Sequence, residues 1–404
     1  DPSVGALKHY FEKVKQQNTS SENIFQALNI PYTGPVDGHD LEGLIVAFQK
    51  IQKQKGPRLI HVVTTKGKGV EQAELDQVTY HAPGKFDRKT GILIPKTERP
   101  TTKYQDVFGK TLVALAAQND AIVGITPAMP TGSSMKLMMD AFPERSFDVG
   151  IAEQHAVTLA AGMATAGFLP FCAIYATFLQ RAYDQVIHDV ALQNLSVVFC
   201  LDRAGLVGQD GPTHHGVFDV AMLRTIPNMR ILAPRNEIQL RNTLYTLQLE
   251  IDGPVAIRYP RGYGKISNWE LPFEKIDLDR GYCLKEGKEI AILSVGTMGD
   301  NVNEALELIE DRCSPSHYDL GSIKPLDDSL LHGVFKTYTT IITVEDSALA
   351  GGAGSAVLEW ANVQGYSQAI KRIGIPDHFI PHGTTAQLQK EVGLDAAGIA
   401  AVLL

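Results

Sequence analysis

The 404-residue chain is poor in cysteine, aromatic residues and long apolar runs, and it has no excess of positive charge. Its four cysteines, Cys172, Cys200, Cys283 and Cys313, are far apart and form no CxxC pair. That spacing excludes a disulfide-stapled scaffold and predicts reduced thiols of a cytoplasmic protein. No apolar stretch approaches the roughly 18 residues of a membrane span, and the opening DPSVGALKHYFEKVKQQ lacks the apolar core of a signal peptide. Lys and Arg number 37 against 45 Asp and Glu, a net charge of −8, so neither nucleic acid nor an anionic membrane is an expected partner. Short-period repeats and low-complexity tracts are missing as well.

What is present is ordinary globular composition, 44% hydrophobic and 20% charged. At roughly 150 residues per domain, the length predicts about two or three domains. Short β-branched runs alternate with helical patterns, which predicts successive α/β domains with mainly parallel sheets. Strands are expected at 59–64, 121–125, 171–175, 196–201, 230–233 and 255–258, and later at 290–295, 316–320, 340–344 and 369–373. Helices are expected at 41–53, 152–166 and 178–194, the last with Phe178, Ala182, Val186 and Val190 four residues apart. Stretches 83–102 and 262–280 read as linkers. They divide the chain into 1–96, too little for a complete sheet, and two α/β domains at 101–265 and 281–404.

Open α/β sheets place ligands at the carboxyl ends of their strands. Glu153, in the first turn of a helix after a short strand, is either a helix-dipole carboxylate or a buried acid that exchanges a proton with a ligand. Tyr175, Phe178 and Arg181 follow the strand at 171–175 and are either core and surface residues or the wall of a pocket. Asp202 and Arg203 open the long glycine-rich stretch GLVGQDGPTHHG at 205–216, a composition that carries function more often than packing. Its paired histidines, His214 and His215, lack an acid or Cys at a familiar ligand spacing, which argues against a metal site. Arg203 and Arg261, both at strand ends, suit capture of a phosphate or carboxylate. TTKGKG at 64–69 could hold a phosphate but is not a Walker loop. The GAGS at 352–355 reads as tight helix–strand packing rather than a dinucleotide turn.

Taken together, GPVDGHD (34–40), TTKGKG (64–69), YHAPGKFD (80–87), ITPAM (125–129), FDVGIAEQHAV (147–157), IYATFLQRAYDQ (174–185), DRAGLVGQDGPTHHG (202–216) and RYPRG (258–262) resemble the 1-deoxy-D-xylulose-5-phosphate synthase family of transketolase-like enzymes. KPLD (324–327), GGAGSAV (351–357) and GLDAAG (393–398) agree. The resemblance implies a cytoplasmic homodimer dependent on thiamine diphosphate and Mg²⁺. It implies decarboxylation of pyruvate and transfer of the two-carbon unit to D-glyceraldehyde 3-phosphate. By motif, Glu153 would bind the aminopyrimidine nitrogen of the cofactor and Phe178 would stack on that ring. Arg181, Met129 and Ile151 would line the same pocket, and Lys66 would reach the diphosphate. His81 and His214 would contact the reacting centre, and Arg203, Arg261, Tyr175 and Asp210 would bind the acceptor phosphate.

The sequence also departs from that family. The GDG metal motif with its later Asn is absent, the segment before GPVDGHD is short, and His215 stands where many relatives carry Gln. The expectation is a chain that lacks much of the first domain and its magnesium ligands. A transketolase, a 2-oxoacid dehydrogenase β subunit, or an inactive piece that needs a separate amino-terminal part are the alternatives.

Overall fold

The computed structural model describes residues 23–77, 79–81, 83–94 and 100–404. The chain divides into two compact units, Asp1–Glu98 and Arg99–Leu404. Among the described residues of the first, strands β1 (Tyr32–Asp37) and β2 (Leu59–Val63) pair in parallel around the helix Leu41–Ile51. The sequence pattern anticipates only β2, because Gly34 and Pro35 interrupt the alternation of β1. The helix is capped by Asp40, whose side chain accepts from the Gly43 N–H.

The second unit is built on a seven-stranded and a five-stranded sheet. Strands β3 (Ile122–Thr126), β4 (Ser146–Asp148), β5 (Leu169–Tyr175), β6 (Val198–Ala204), β7 (Arg230–Leu232) and β8 (Val255–Pro260) supply most of the first sheet. Strands β9 (Tyr282–Lys285), β10 (Ile290–Ser294), β11 (Ser316–Asp319), β13 (Thr340–Ala348) and β14 (Ala369–Ile375) form the second. The short β12 (Ser322–Lys324) leaves its neighbours and pairs antiparallel with β7. The seven-stranded order is therefore β12-β7-β8-β6-β5-β3-β4, and β9 is the antiparallel edge of the other sheet.

The central strands β3, β5, β6 and β8 are buried almost throughout, which is why they read as unbroken apolar runs. One hydrophobic cluster joins the sheets, with Val220, Leu223 and Ile231 packed among Leu293, Val295, Leu331 and Ile341. A core continuous across the two sheets leaves them little freedom to move apart.

Two expectations need correction. The stretch 262–280 is not a free linker: Trp269 is 1% exposed, its Nε1 donates to Thr102 Oγ1 at 2.9 Å, and Leu278 is buried in the same cluster as Tyr259. Its apolar residues follow no regular period because the segment is strapped over the core without secondary structure. The helix expected at 178–194 is also irregular, a 3₁₀ turn at Phe178–Ala182, a short α segment at Tyr183–Gln185 and a π turn at Val186–Ala191. Spacing by four suits α and π turns but not a 3₁₀ turn, so the pattern could not reveal the irregular start, and departures from α geometry of this kind cluster at functional sites.

Among the described residues no helix is long and apolar enough to cross a membrane.

Candidate active site

The sheet order builds the site. β8, β6 and β5 are neighbours, and Arg261, Arg203 and Tyr175 stand at or just beyond their carboxyl ends. The register pairs Tyr175 with Asp202 and Ala204 with Pro260, so the three side chains arise within two strand spacings, about 10 Å. β6 carries an irregularity between Leu201 and Ala204, and Arg203 within it adopts φ 63°. A left-handed conformation is uncommon for a residue with a Cβ, and a bulge re-aims side chains in this way.

Re-aimed, Arg203 lies over the Tyr175 ring, 3.7 Å from guanidinium carbon to centroid. Its Nη1 donates to the Gly132 carbonyl at 2.9 Å and to Asp202 Oδ2 at 2.7 Å. Gly132 is required by this packing, because a Cβ there would stand 1.8 Å from the Tyr175 hydroxyl. Arg261 forms an ion pair with Asp210 and donates to the Val207 carbonyl at 3.2 Å. Burial raises the Tyr175 phenol, and the nearby positive charges of Arg203 and Arg261 oppose that shift. Asp202 is wholly buried, and burial pushes its carboxyl up to about 7 against the pull of Arg203.

The other half begins at β4. The helix Glu153–Thr165 follows it, and Glu153 at its first position is 3% exposed. Arg181 Nη1 donates to Glu153 Oε1 at 2.8 Å, while 53% of the Arg181 side chain stays in solvent. The Arg181 guanidinium stands 5.1 Å from the Phe178 ring centroid. Phe178 stacks on Tyr175 at 5.7 Å and meets His214 edge-on at 5.3 Å. His214 Nδ1 lies 2.8 Å from Thr213 Oγ1. An unbroken chain of contacts thus runs from Glu153 through Arg181, Phe178 and Tyr175 to Arg203. Met129 is buried after β3, whereas Ile151 is 83% exposed just before the Glu153 helix.

Lys66 and His81 belong to the first unit, and both are exposed there. Lys66 occupies the turn after β2, in a loop whose Gly69 N–H donates to Glu74 Oε1 at 2.9 Å. The GAGS segment contains its own anion: Glu345 accepts from the Ala353 and Gly354 N–H groups at 2.7 and 2.8 Å. A Cβ at Gly352 would lie 2.3 Å from that carboxylate, so the glycine serves internal packing.

Sequence patterns placed Asp202 beside the glycine-rich stretch and Val207 within it but gave neither a role, and did not point to Gly132. Asp202 had one available signal, an acid next to arginine at the end of an otherwise apolar strand. Val207 acts through backbone groups, which leave no mark in residue type, and Gly132, required by a close approach, looks in sequence like any other glycine.

Residues 101–265 match the model of the "Transketolase, pyrimidine binding domain" and 279–399 that of the "Transketolase, C-terminal domain". Residues 2–64 match the model described as "1-deoxy-D-xylulose-5-phosphate synthase". The chain is similar to the 1-deoxy-D-xylulose-5-phosphate synthases of Cytophaga hutchinsonii, at 54% identity over 99% of this chain, and Parabacteroides distasonis, at 52% over 98%. It spans 64% and 63% of the length of those two relatives. Among solved structures, a split-gene transketolase in an inactive β4 tetramer superposes with TM-score 0.66 and 30% identity, over 75% of this chain and 97% of that one. Transketolase from Campylobacter jejuni superposes with TM-score 0.63 at 18% identity, over 95% of this chain and 69% of the other, a likeness of fold. The chain therefore belongs to the transketolase-like family and, within it, to the 1-deoxy-D-xylulose-5-phosphate synthase branch.

Proposed function

We propose that this chain provides the pyrimidine-side and acceptor-phosphate parts of a thiamine diphosphate-dependent synthase. The reaction joins two carbons of pyruvate to D-glyceraldehyde 3-phosphate, releases CO₂ and yields 1-deoxy-D-xylulose 5-phosphate. One observation carries the reading: a buried acid, Glu153, is linked through stacked rings to an arginine aimed by a strand bulge. An acid beside a half-buried aromatic ring fits a nitrogen heterocycle, which needs a hydrogen-bonding carboxyl at its edge and an apolar face. Two arginines at adjacent strand ends fit one phosphate.

When bound, the thiazolium of the cofactor supplies the centre that stabilises a carbanion. Glu153 would hold the aminopyrimidine ring nitrogen and share a proton with it, and Phe178 would cover the ring. Arg181 keeps the Glu153 carboxylate oriented through its 2.8 Å hydrogen bond. Arg203, Tyr175, Asp210 and Arg261 would hold the acceptor phosphate, and His214 and His81 would handle protons at the reacting carbonyl. Met129 and Ile151 would border the ring, and Lys66 would meet the diphosphate. Among the described residues no group of three His, Cys, Asp or Glu side chains is placed to hold a metal ion, and we assign no magnesium ligand in this chain. The family resemblance supports a cytoplasmic homodimer.

A second reading is favoured by the first unit, whose helix Leu41–Ile51 buries none of its residues and leaves Leu41, Ile45 and Phe48 exposed along one face. An apolar helix face of that kind asks for covering chain, so activity would require residues beyond these 404. Calorimetric titration of thiamine diphosphate and Mg²⁺, together with an assay on pyruvate and glyceraldehyde 3-phosphate, tests both readings. Turnover by this chain alone supports the first reading and removes the second. Turnover of a ketose donor with no deoxyxylulose phosphate would overturn the assignment.

A further inference from the structure

The glycine-rich loop that carries Asp210 and His214 is closed at its neck by reciprocal bonds between Gly205 and Gly216, 2.8 and 2.9 Å. Beyond the neck its shape depends on one side chain. His215 is 3% exposed; its Nδ1 accepts from the Val207 N–H at 3.1 Å, and its Nε2 lies 3.2 Å from the Pro381 carbonyl oxygen. A backbone N–H can only donate and a carbonyl can only accept, so these partners require the neutral imidazole with its hydrogen on Nε2. Pro381 belongs to the segment after β14, outside the sheet that carries the site. A weaker tether, Gly383 N–H to the Gly208 carbonyl at 3.4 Å, runs alongside.

The backbone of Val207 is thus held at both of its polar groups. His215 takes its N–H, and the Val207 carbonyl accepts from Arg261 Nη1. A shift of the Val207 backbone would withdraw a partner from Arg261 and move Asp210, three residues further on, which is paired with the same guanidinium.

We propose that His215 is a positioning residue: it latches the loop 205–216 to the segment around Pro381 and so sets Arg261 and Asp210 for the phosphate group of the substrate. This rests on the reading of Arg203 and Arg261 as the phosphate pair. Beside His215 lies a cavity of about 740 Å³, also lined by Phe218, Arg372, His378 and Phe379. Water entering there can satisfy the Val207 N–H and Pro381 carbonyl when the imidazole is removed, so truncation should displace the loop without unfolding the chain. Glutamine offers the same acceptor and donor pair, an amide oxygen and an amide N–H.

The test compares His215→Ala and His215→Gln by hydrogen exchange at the Val207 amide and by calorimetric binding of inorganic phosphate, which need neither cofactor nor turnover. The alanine variant should lose protection at Val207 and bind phosphate about tenfold more weakly, with the glutamine variant within about twofold of the parent on both measures. In a turnover assay the alanine variant should raise KM for the phosphorylated acceptor and leave kcat and the KM for pyruvate within about twofold. Unchanged protection and phosphate affinity in the alanine variant would overturn the latch, as would a glutamine variant that folds but rescues neither. If the alanine variant fails to fold, His215→Asn, whose shorter amide reaches only one partner, is read by the same criteria. Arg261→Ala is the control that separates the two claims. If it leaves phosphate binding intact, the phosphate reading falls while Val207 exchange still decides the latch.

Discussion

Arg203 is stacked on Tyr175, with 3.7 Å between the guanidinium carbon and the ring centroid, and only 11% of its side chain is exposed. Tyr175, Asp202 and the Gly132 carbonyl hold the planar group, leaving its remaining N–H groups for a ligand. Arg203→Lys should raise KM for the phosphorylated acceptor by about 10- to 100-fold, because an ammonium neither stacks nor presents a fork. The KM for pyruvate should stay within about twofold. Steady-state kinetics with each substrate varied in turn checks this, and equal changes in both KM values would remove Arg203 from the phosphate site.

Glu153→Ala should lower turnover by about 10²- to 10⁴-fold, the range for loss of a proton-transfer group, with little change in melting temperature. Arg181, its partner, is half in solvent and stays hydrated when the carboxylate is removed. A variant that melts with the parent and turns over normally would exclude Glu153 from the chemistry.

Asp202 predicts a pH dependence of stability. Its folded pKa, pushed up to about 7 by burial, lies above the usual aspartate range near 4, so between those values the folded state binds the extra proton. The stability this group contributes is complete below about pH 4 and is lost as pH rises through about 7, with a slope of up to about 1.4 kcal/mol per pH unit. Denaturant unfolding between pH 5 and 8 should show Asp202→Asn gaining on the parent as pH rises. Parallel curves would place the Asp202 pKa outside that window.

Arg258 tests the joint between the two sheets. Its side chain, 3% exposed, bridges Asp219 at 2.8 Å and, from the other sheet, Asp346 at 2.6 Å. Burial raises the Asp219 carboxyl, and Arg258 is the first charge to oppose that shift. Arg258→Met should cost about 3–5 kcal/mol in urea unfolding, because it leaves buried carboxylates unpaired. Adding Asp219→Asn should recover part of that loss. A single variant as stable as the parent would show that the two sheets are held by their shared apolar core alone.

The α/β alternation of the second unit was legible because strands buried on both faces become apolar runs, as at 171–175 and 255–258. The polar residues at or after the ends of such runs, Glu153, Arg203 and Arg261, could be picked out as candidates for the same reason. Chain order did not reveal β12 leaving its own domain's sheet for β7, or Trp269 anchoring an apparent linker. Both depend on contacts between distant segments and carry no local period.

The limit is sharpest at three neighbouring residues. Arg203 reads as a strand-end cation, and its residue type already settles that it carries charge and can fork onto a phosphate. Its direction comes from a bulge in β6, and its immobility from the Tyr175 ring and the Gly132 carbonyl. His214 and His215 look alike in sequence, yet one faces Phe178 and the other grips Val207 and Pro381. Residue type sets which protons and charges a side chain can offer, and that much was written in the order of amino acids. Where those groups point follows from backbone partners brought in across the sheet, which no run of neighbours along the chain encodes.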